Sequence, residues 1–222
     1  MPSSSSSQLS DIVKLISLTN PQSLLDIGVG FGKYGFLARE YLELWDGREM
    51  YSQWTRRIDG IEAFQAYLTP IHRLIYSNLY EGNALDVVKE LNTHYDLALL
   101  IDVLEHFVEP DGRQLLSEIS TKARNVLIST PKHPAHQEAA FGNPYERHLS
   151  EWRAKDFEFL GDLAVVPNAD SLIVYAGHEV SLVKRELAFS RPREQATALR
   201  RLVATRAPFL RGPYRAIKRL LP

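Results

Sequence analysis

Apolar residues recur at helical spacing between residues 9 and 16, and Asn20-Pro21 ends that pattern, which predicts a short first helix. The apolar run 23–27 then leads into the glycine-rich stretch 28–32, which is typical of a buried strand that ends in a tight turn. From residue 33 to residue 45, apolar side chains again follow a helical stripe. The start of the chain therefore predicts a helix, a strand, a glycine loop and a second helix.

The alternation of strand and helix continues through the middle of the chain. The predicted strands are 58–62, 79–82, 95–102 and 125–129, and the predicted helices are 63–76, 84–91 and 112–122. Apolar strands that alternate with helices form a parallel sheet covered on both faces, because each connecting helix packs back on the sheet. The sequence therefore predicts an α/β domain with a doubly wound sheet.

The pattern changes after the fifth predicted strand. Residues 151–160 predict one more helix, with Ser150 as its cap. Three β-rich stretches follow at 163–167, 172–176 and 180–183, and they are close enough in the chain to pair in antiparallel fashion. We therefore expect a mostly parallel sheet with an antiparallel edge and with helices on both faces.

Composition narrows the class of protein. The chain has 222 residues, of which 45% are hydrophobic and 24% charged, and it contains no cysteine. These figures are ordinary for a soluble globular protein, and the length suits one main domain. The lack of cysteine excludes thiol catalysis, cysteine-ligated zinc and iron–sulfur clusters. We expect neither a transmembrane segment nor a signal peptide, and we expect a cytoplasmic location.

Charge divides the chain into two unequal parts. Residues 184–222 contain 11 basic and two acidic residues, whereas the residues before them contain 15 basic and 25 acidic residues. Such an asymmetry indicates that the two parts have different roles. The predicted organisation is an N-terminal leader and helix at 1–19, a main domain at 20–183 and a basic helical tail at 184–222.

The predicted tail carries a basic amphipathic pattern. Its apolar residues recur near helical spacing, and they are flanked by Arg211, Arg215, Lys218 and Arg219. Such a segment can contact an anionic membrane surface, attract nucleic acid, or pack on the acidic part of its own or a partner subunit. We favour packing, which leaves a homo-oligomer and peripheral membrane contact as open alternatives.

The glycine-rich stretch 28–32 favours a ligand that lies close to the backbone at the start of a helix. Alone, this stretch also fits a tight turn without a ligand. The dinucleotide fingerprint has its acidic residue roughly 20 residues further on, whereas Glu62 lies 27 residues after Gly35. A Walker phosphate loop is excluded because Lys33 is followed by Tyr34 rather than by serine or threonine.

Polar residues follow three of the predicted strands. Glu62 ends the second strand, Asn83 follows the third, and Asp102 ends the fourth. The carboxyl ends of parallel strands meet at one edge of an open sheet, so these side chains are expected to line one crevice. There Glu62 can accept hydrogen bonds from a ribose diol, and Asn83 can bond to an adenine edge. Each acid alone is more typical of a helix cap or a solvated charge, but together they favour a nucleoside ligand.

The combination of these motifs resembles that of the class I S-adenosylmethionine-dependent methyltransferases. The matching stretches are 24–32, 59–62, 81–84 and 95–106, within a likeness that covers about residues 20–183. The resemblance implies a Rossmann-like fold and S-adenosylmethionine as the methyl donor. The donor-binding residues that it implies are Asp26, Gly28, Gly30, Gly32, Glu62, Asn83, Ala84 and Asp102. Asn83 departs from the family pattern, which more often has Asp at that position.

The strand-end stretch 102–106 has a second interpretation. If a helical turn begins at the strand end, two carboxylates and His106 converge, and such groups bind a divalent cation. The stretch is similar to the Glu/Asp-x-x-Glu-His element of ubiquinone-biosynthesis O-methyltransferases and small-RNA 2′-O-methyltransferases. This resemblance implies a metal that holds the acceptor hydroxyl, and His148 matches a further histidine of the RNA enzymes. The implied metal ligands are Asp102, Glu105, His106 and His148.

The same residues also allow a site without a metal. In that interpretation His106, Glu105 and His148 are the catalytic residues, and His106 positions the acceptor or removes its proton. If His148 is purely structural, it caps or packs against the following helix.

Three functions are consistent with these motifs. The first is an S-adenosylmethionine-dependent methyltransferase that methylates a hydroxyl of a small molecule or glycan by in-line displacement. The second is an NAD-type oxidoreductase, and the third is a nucleoside-binding scaffold without turnover. Oxygen is the favoured acceptor because acids and histidines together suit the activation of a hydroxyl. We therefore predict a methyltransferase with a small-molecule acceptor, and the acidic main domain disfavours a nucleic-acid partner.

Overall fold

The computed structural model describes residues 4–134 and 136–189. The helices are α1 (Leu9–Thr19), α2 (Lys33–Arg39), α3 (Pro70–Ile75), α4 (Ala84–Glu90) and α5 (Glu109–Lys122). The strands are β1 (Ser23–Ile27), β2 (Arg57–Glu62), β3 (Asn78–Glu81), β4 (Leu97–Ile101), β5 (Asn125–Pro131), β6 (Leu163–Val166) and β7 (Ser171–Gly177). A π-helical turn, Glu40–Leu44, continues α2, and Leu104–His106 forms a 3₁₀ turn after β4.

The strands form a seven-stranded sheet in the order β3-β2-β1-β4-β5-β7-β6. The first five strands pair in parallel, whereas β7 is antiparallel to both β5 and β6. Ile27 of β1 lies beside Ile61 of β2 and Leu100 of β4, so the carboxyl ends of these three strands are level. The sheet confirms the predicted α/β class with a mostly parallel sheet and an antiparallel edge.

The central strand β4 is buried at every position. Ala98 and Leu100 belong to a core that also contains the buried side chains of α4 and α5. Leu97 and Leu99 are equally buried but face the other side of the sheet, because successive residues of a strand point to opposite faces. The buried residues of α1 and α2 lie outside the first core and cover this second face. The helices therefore occupy both faces, as the sequence predicts.

The prediction of one helix at 63–76 is wrong, and Pro70 provides the reason. The chain instead forms a 3₁₀ turn, Gln65–Tyr67, followed by the short helix α3, which begins at Pro70. Proline has no N–H and its ring clashes inside a helix, but both features are tolerated in the first turn. Pro70 therefore starts a new helix rather than continuing an earlier one.

Two predictions in the C-terminal part are also wrong. The helix expected at 151–160 is a 3₁₀ segment, Ala154–Leu160, and Ser150 does not cap it. The Ser150 hydroxyl instead donates to the backbone oxygen of Leu104 at 3.1 Å. Residues 180–183, expected to be extended, are helical, and this helix is described to residue 189.

The chain divides into two units after Val183, and the site described below belongs to the first unit. No helix within the described ranges is long and apolar enough to cross a membrane. The amphipathic pattern around Arg211, Arg215, Lys218 and Arg219 lies outside the described residues. The role of the tail and the three-part organisation therefore stay predictions.

Candidate functional site

A cavity of about 860 Å³ opens at the carboxyl ends of β1, β2 and β4. Its wall runs from the glycine turn after β1 to the two histidines at 106 and 148, and it includes Ser171 at the start of β7. Because β7 runs opposite to β5, its first residue lies at the edge where the parallel strands end. Pockets of roughly 300–1,000 Å³ hold small organic ligands, so this cavity is large enough for such a ligand.

The turn after β1 depends on glycine for its backbone conformation. The φ angle is 72° at Gly28, 51° at Gly30 and 84° at Gly32, a left-handed conformation that residues with a Cβ rarely adopt. At Gly28 a Cβ would also lie 2.7 Å from Cγ2 of Val103. Gly28 and Gly30 therefore line the cavity with backbone that carries no side chain, between the side chains of Val29 and Phe31, whereas Gly32 is not among the lining residues.

Glu62, at the end of β2, lines the cavity beside this turn. Its Oε2 accepts a hydrogen bond from the N–H of Gly30 at 2.9 Å, and its Oε1 accepts one from the N–H of Phe64 at 2.9 Å. Burial raises the pKa of the Glu62 carboxyl above its ordinary value. The strand end therefore delivers a fixed carboxylate to the crevice in which the sequence analysis expects it.

His72 of α3 supports the glycine turn and was missed by the sequence analysis. The N–H of Thr69 donates to Nδ1 of His72 at 3.1 Å, so Nε2 carries the proton and donates to the carbonyl oxygen of Gly30 at 2.9 Å. Gly30 is thus held through both its N–H and its C=O. The available signal is the Thr69-to-His72 spacing, which is that of a capping box.

Three other expected donor-binding residues also line the cavity. Asp26 lies in β1, and burial raises its pKa from 3.8 to about 7. The Oδ1 of Asn83 accepts a hydrogen bond from the N–H of Leu85 at 2.9 Å and so caps α4, of which Ala84 is the first residue. The carboxyl group of Asp26 and the capped start of α4 therefore line the same wall of the cavity as the glycine turn.

Asp102 follows β4 in a left-handed conformation, with a φ angle of 54°. Its Oδ2 accepts a hydrogen bond from Nε2 of Gln8 at 2.7 Å, and its Oδ1 lies 3.1 Å from the hydroxyl oxygen of Ser129, whose single proton it shares with Oε1 of Gln8. Asp102 lines the cavity but is not in the group of neighbouring metal-capable side chains. The structure thus differs from the expected four-residue ligand set, because Gln8 and Ser129 bind the Asp102 carboxylate.

The other three expected ligands, Glu105, His106 and His148, do lie together. One ligand atom from each lies within 4.8 Å of the other two, and the imidazole ring centroids are 5.1 Å apart. Glu105 is buried, and its Oε2 has no hydrogen-bond partner among the described residues. Burial raises the pKa of Glu105 well above its ordinary value. An unsatisfied buried oxygen is costly, so this carboxyl group suits a bound proton or a cation.

The hydrogen bond that His106 makes determines which of its two ring nitrogens is available to accept a proton or bind a cation. Its Nδ1 lies 3.1 Å from the backbone oxygen of Arg147, and because a carbonyl oxygen can only accept, Nδ1 carries the proton. Nε2 is therefore the nitrogen that can accept a proton or ligate a cation. Burial lowers the pKa of His106 below its ordinary value of 6.5, which keeps the imidazole neutral near neutral pH.

The cluster is built from two chain segments that are joined through the backbone. The carbonyl oxygen of Glu105 accepts hydrogen bonds from two successive N–H groups, Leu149 at 2.7 Å and Ser150 at 3.2 Å. These bonds fasten the segment that carries His148 to the turn that carries His106. The relative position of the two histidines is therefore fixed by main-chain atoms.

The mouth of the cavity has an apolar rim and an acidic wall. The large apolar side chains that line the cavity and are exposed are Phe31, Val108, Phe141, Tyr145 and Leu149. Glu146, which the sequence analysis did not single out, is buried in the wall and accepts a 3.1 Å hydrogen bond from the hydroxyl of Tyr67. Lys33 is the one Lys or Arg among the described residues that line the cavity.

Comparisons with known proteins identify the fold. No protein-family model and no curated protein matches the chain. The methyltransferase domain of a bacterial Hen1, CtHen1, superposes with a TM-score of 0.51 at 16% identity, over 78% of this chain and 98% of that one. An O-methyltransferase family protein from Burkholderia thailandensis gives a TM-score of 0.54 at 13% identity, over 77% of this chain and 57% of that one.

A third similar structure is the magnesium protoporphyrin IX methyltransferase ChlM from Synechocystis with bound S-adenosylhomocysteine. It gives a TM-score of 0.51 at 14% identity, over 77% of this chain and 82% of that one. These three likenesses show that the chain has the Rossmann-like fold of the S-adenosylmethionine-dependent methyltransferases, as the sequence resemblance implies.

Proposed function

We propose that this protein is an S-adenosylmethionine-dependent O-methyltransferase that acts on a hydroxyl group of a small-molecule acceptor. The observation that carries the proposal is the cavity that joins the glycine turn and Glu62 to the cluster of Glu105, His106 and His148. Methyl transfer needs donor and acceptor in one space, because the reacting atoms must be in line. The similarity to ChlM, which binds S-adenosylhomocysteine, supports the same donor.

The donor end of the cavity fits a nucleoside that carries an amino-acid group. Gly28 and Gly30 present backbone without side chains, and Glu62 is a carboxylate acceptor for a ribose diol. Asn83 and Ala84 border the expected position of the base. S-adenosylmethionine supplies an electrophilic methyl group on a positively charged sulfur atom. The carboxyl groups of Asp26 and Glu62 make this wall suitable for such a cationic donor.

At the acceptor end, a hydroxyl oxygen attacks the methyl carbon in line with the departing sulfur. The O–C bond forms as the C–S bond breaks, and S-adenosylhomocysteine leaves as a neutral thioether. His106 Nε2 is the proposed acceptor of the hydroxyl proton, because Nδ1 is committed to the Arg147 carbonyl oxygen. Its lowered pKa supports this role, since the base must be neutral before the reaction.

The same cluster also fits a divalent cation, and an acceptor site that contains a metal is our second candidate. Two imidazoles and one carboxylate form a ligand set that suits Mn²⁺ or Zn²⁺, and the Glu105 Oε2 atom has no other partner among the described residues. A bound cation would lower the pKa of the acceptor hydroxyl. Glu105, His106 and His148 are its proposed ligands, and Asp102 is left out of the set.

A small acceptor is favoured over nucleic acid by the charges around the cavity. Binding of a polyanion relies on several Lys and Arg contacts, whereas Lys33 is the one such residue in the described wall. The apolar rim, which includes Phe141 and Tyr145, suits an organic molecule with an apolar portion. The similarity to an O-methyltransferase family protein supports oxygen as the acceptor atom by analogy.

Two measurements test this function. Titration calorimetry is expected to show saturable binding of S-adenosylhomocysteine and no binding of NAD. Mass spectrometry of a cell extract incubated with protein and S-adenosylmethionine is expected to show a product that gains one methyl group, with His106→Ala protein as the blank. Binding of NAD alone would favour the oxidoreductase, and donor binding without any product would favour the scaffold.

A further inference from the structure

Residues 4–8, here called the N-terminal segment, lie against the donor end of the cavity. Ser4 and Ser5 belong to its wall together with the glycine turn and Asp102. The Nζ atom of Lys33 donates a 2.8 Å hydrogen bond to the backbone oxygen of Ser4. The three serines that follow Ser4 are exposed, so most of the segment faces solvent.

Gln8 is the buried anchor of this segment. Its side chain is inaccessible to solvent although it is polar. Its Nε2 donates to Oδ2 of Asp102 at 2.7 Å, and its Oε1 accepts a hydrogen bond from the hydroxyl of Ser129. Because both ends of the amide are satisfied, Gln8 avoids the cost of a buried unpaired polar group. Burial raises the pKa of Asp102 above its ordinary value, and the hydrogen bonds from Ser129, Gln8 and the Ser5 backbone partly offset that rise.

These contacts give Asp102 a structural role that is separate from donor binding and from activation of the acceptor. Its carboxylate binds Gln8 and Ser129, outside the cluster that contains Glu105. The hydrogen bonds tie the chain just before α1 to the end of β4 and to β5. Gln8 is the buried residue of the segment, and a segment held by few buried groups opens locally at a low free energy.

We propose that Gln8 is a positioning residue of the donor site, because through Asp102 and Ser129 it holds the N-terminal segment across the donor end of the cavity. The inference rests on the proposed function. The segment detaches when S-adenosylhomocysteine leaves and closes again over the next donor. Loss of the Gln8 hydrogen bonds therefore opens one wall of the donor site and leaves Glu62, the glycine turn and His106 in place.

The release rate of S-adenosylhomocysteine tests this role. Gln8→Met keeps the approximate length of the side chain and removes both hydrogen bonds, and Gln114→Met makes the same change at an exposed position of α5. We expect stopped-flow release from the Gln8→Met protein to be about tenfold faster than from wild type and from Gln114→Met. Release at the wild-type rate from folded Gln8→Met protein would overturn the proposal.

Hydrogen exchange in the wild-type protein provides a second test that needs no variant. The backbone amides of residues 4–8 are expected to exchange about tenfold more slowly when S-adenosylhomocysteine is bound. Equal exchange with and without the ligand would overturn the role of the segment, even if Gln8→Met fails to fold. A wild-type protein that does not bind S-adenosylhomocysteine would instead overturn the proposed function, and the inference with it.

Discussion

The hydroxyl of Tyr76 donates a 2.6 Å hydrogen bond to Oδ2 of Asp26, in the buried wall near the glycine turn. The pair is tightly packed, since a Cβ at Gly35 would lie 2.4 Å from Cζ of Tyr76. The hydrogen bond favours the ionised carboxylate, but burial has the larger effect and raises the pKa of Asp26 to about 7. Protonation of Asp26 is therefore linked to folding.

We predict that Asp26 makes the ligand-free protein less stable as pH rises from about 4 to about 7. Its pKa is higher in the folded state, about 7, than the ordinary value of 3.8, so its stabilising contribution is complete below 3.8. That contribution is lost as pH rises through about 7, by at most about 1.4 kcal/mol per pH unit.

Urea unfolding over this pH range checks the prediction. The free energy of unfolding of Asp26→Asn is expected to vary less with pH than that of wild type. Asp86→Asn, at an exposed position, is the matched control and is expected to follow wild type. Parallel curves for wild type and Asp26→Asn would contradict the assigned pKa.

Glu62→Ala is predicted to weaken the binding of S-adenosylhomocysteine. The change removes a buried carboxylate acceptor, and hydrogen bonds to charged groups contribute about 1.5–3 kcal/mol, which corresponds to a roughly 10- to 150-fold loss of affinity. Glu81→Ala is the control, because Glu81 pairs with Glu62 in the sheet register but is exposed. Calorimetry that gives equal affinities for Glu62→Ala and wild type would remove Glu62 from the donor site.

His106→Ala is predicted to slow the chemical step while donor binding stays intact. General-base catalysis contributes roughly 10²- to 10⁴-fold, and single-turnover rates are expected to fall within that range. His94→Ala, on the surface, is the control. Because burial lowers the pKa of His106 below 6.5, the midpoint of the acid-side fall in the wild-type rate is expected to lie below pH 6.5. A midpoint above pH 6.5 would point to another base.

Chelation separates the two versions of the acceptor site. Because Nε2 of His106 can accept the hydroxyl proton without a cation, we expect activity to survive EDTA. Loss of activity with EDTA and recovery with Mn²⁺ or Zn²⁺ would instead establish the metal version. In that case His148→Ala, which removes a ligand, is expected to weaken the recovery by more than the roughly 10- to 100-fold that follows the loss of a group bonded to a ligand.

Local patterns were sufficient to predict the elements that carry the proposed donor site. The apolar run of β1 and the glycines after it were recognised from the sequence because each signal lies within a few adjacent residues. The strand-end positions of Glu62 and Asn83 followed from the parallel topology, which brings carboxyl ends to one edge. The prediction of one helix at 63–76 was wrong because Pro70 is compatible with either a helix start or a break.

The environment of Asp102 could not be predicted in the same way. Its partner Gln8 is 94 residues away in the chain, and no local pattern indicates that contact. The sequence analysis assumed a helical turn that starts at Asp102, whereas the residue is left-handed and the 3₁₀ turn begins only at Leu104. The carboxylate therefore departs from the direction that a regular turn would give it, while Glu105 and His106 still meet.

The hydrogen bonds from Leu149 and Ser150 to Glu105 affect which residues near the cavity mouth can change, and so which acceptor the protein can come to recognise. Residues 136–146 precede this fastening point and supply most of the aromatic rim of the mouth. The fastening bonds use main-chain N–H groups, which every amino acid except proline provides. Evolution or laboratory engineering can therefore exchange the exposed side chains of Phe141 and Tyr145 to change which molecule is recognised, while the segment that carries His148 keeps its place.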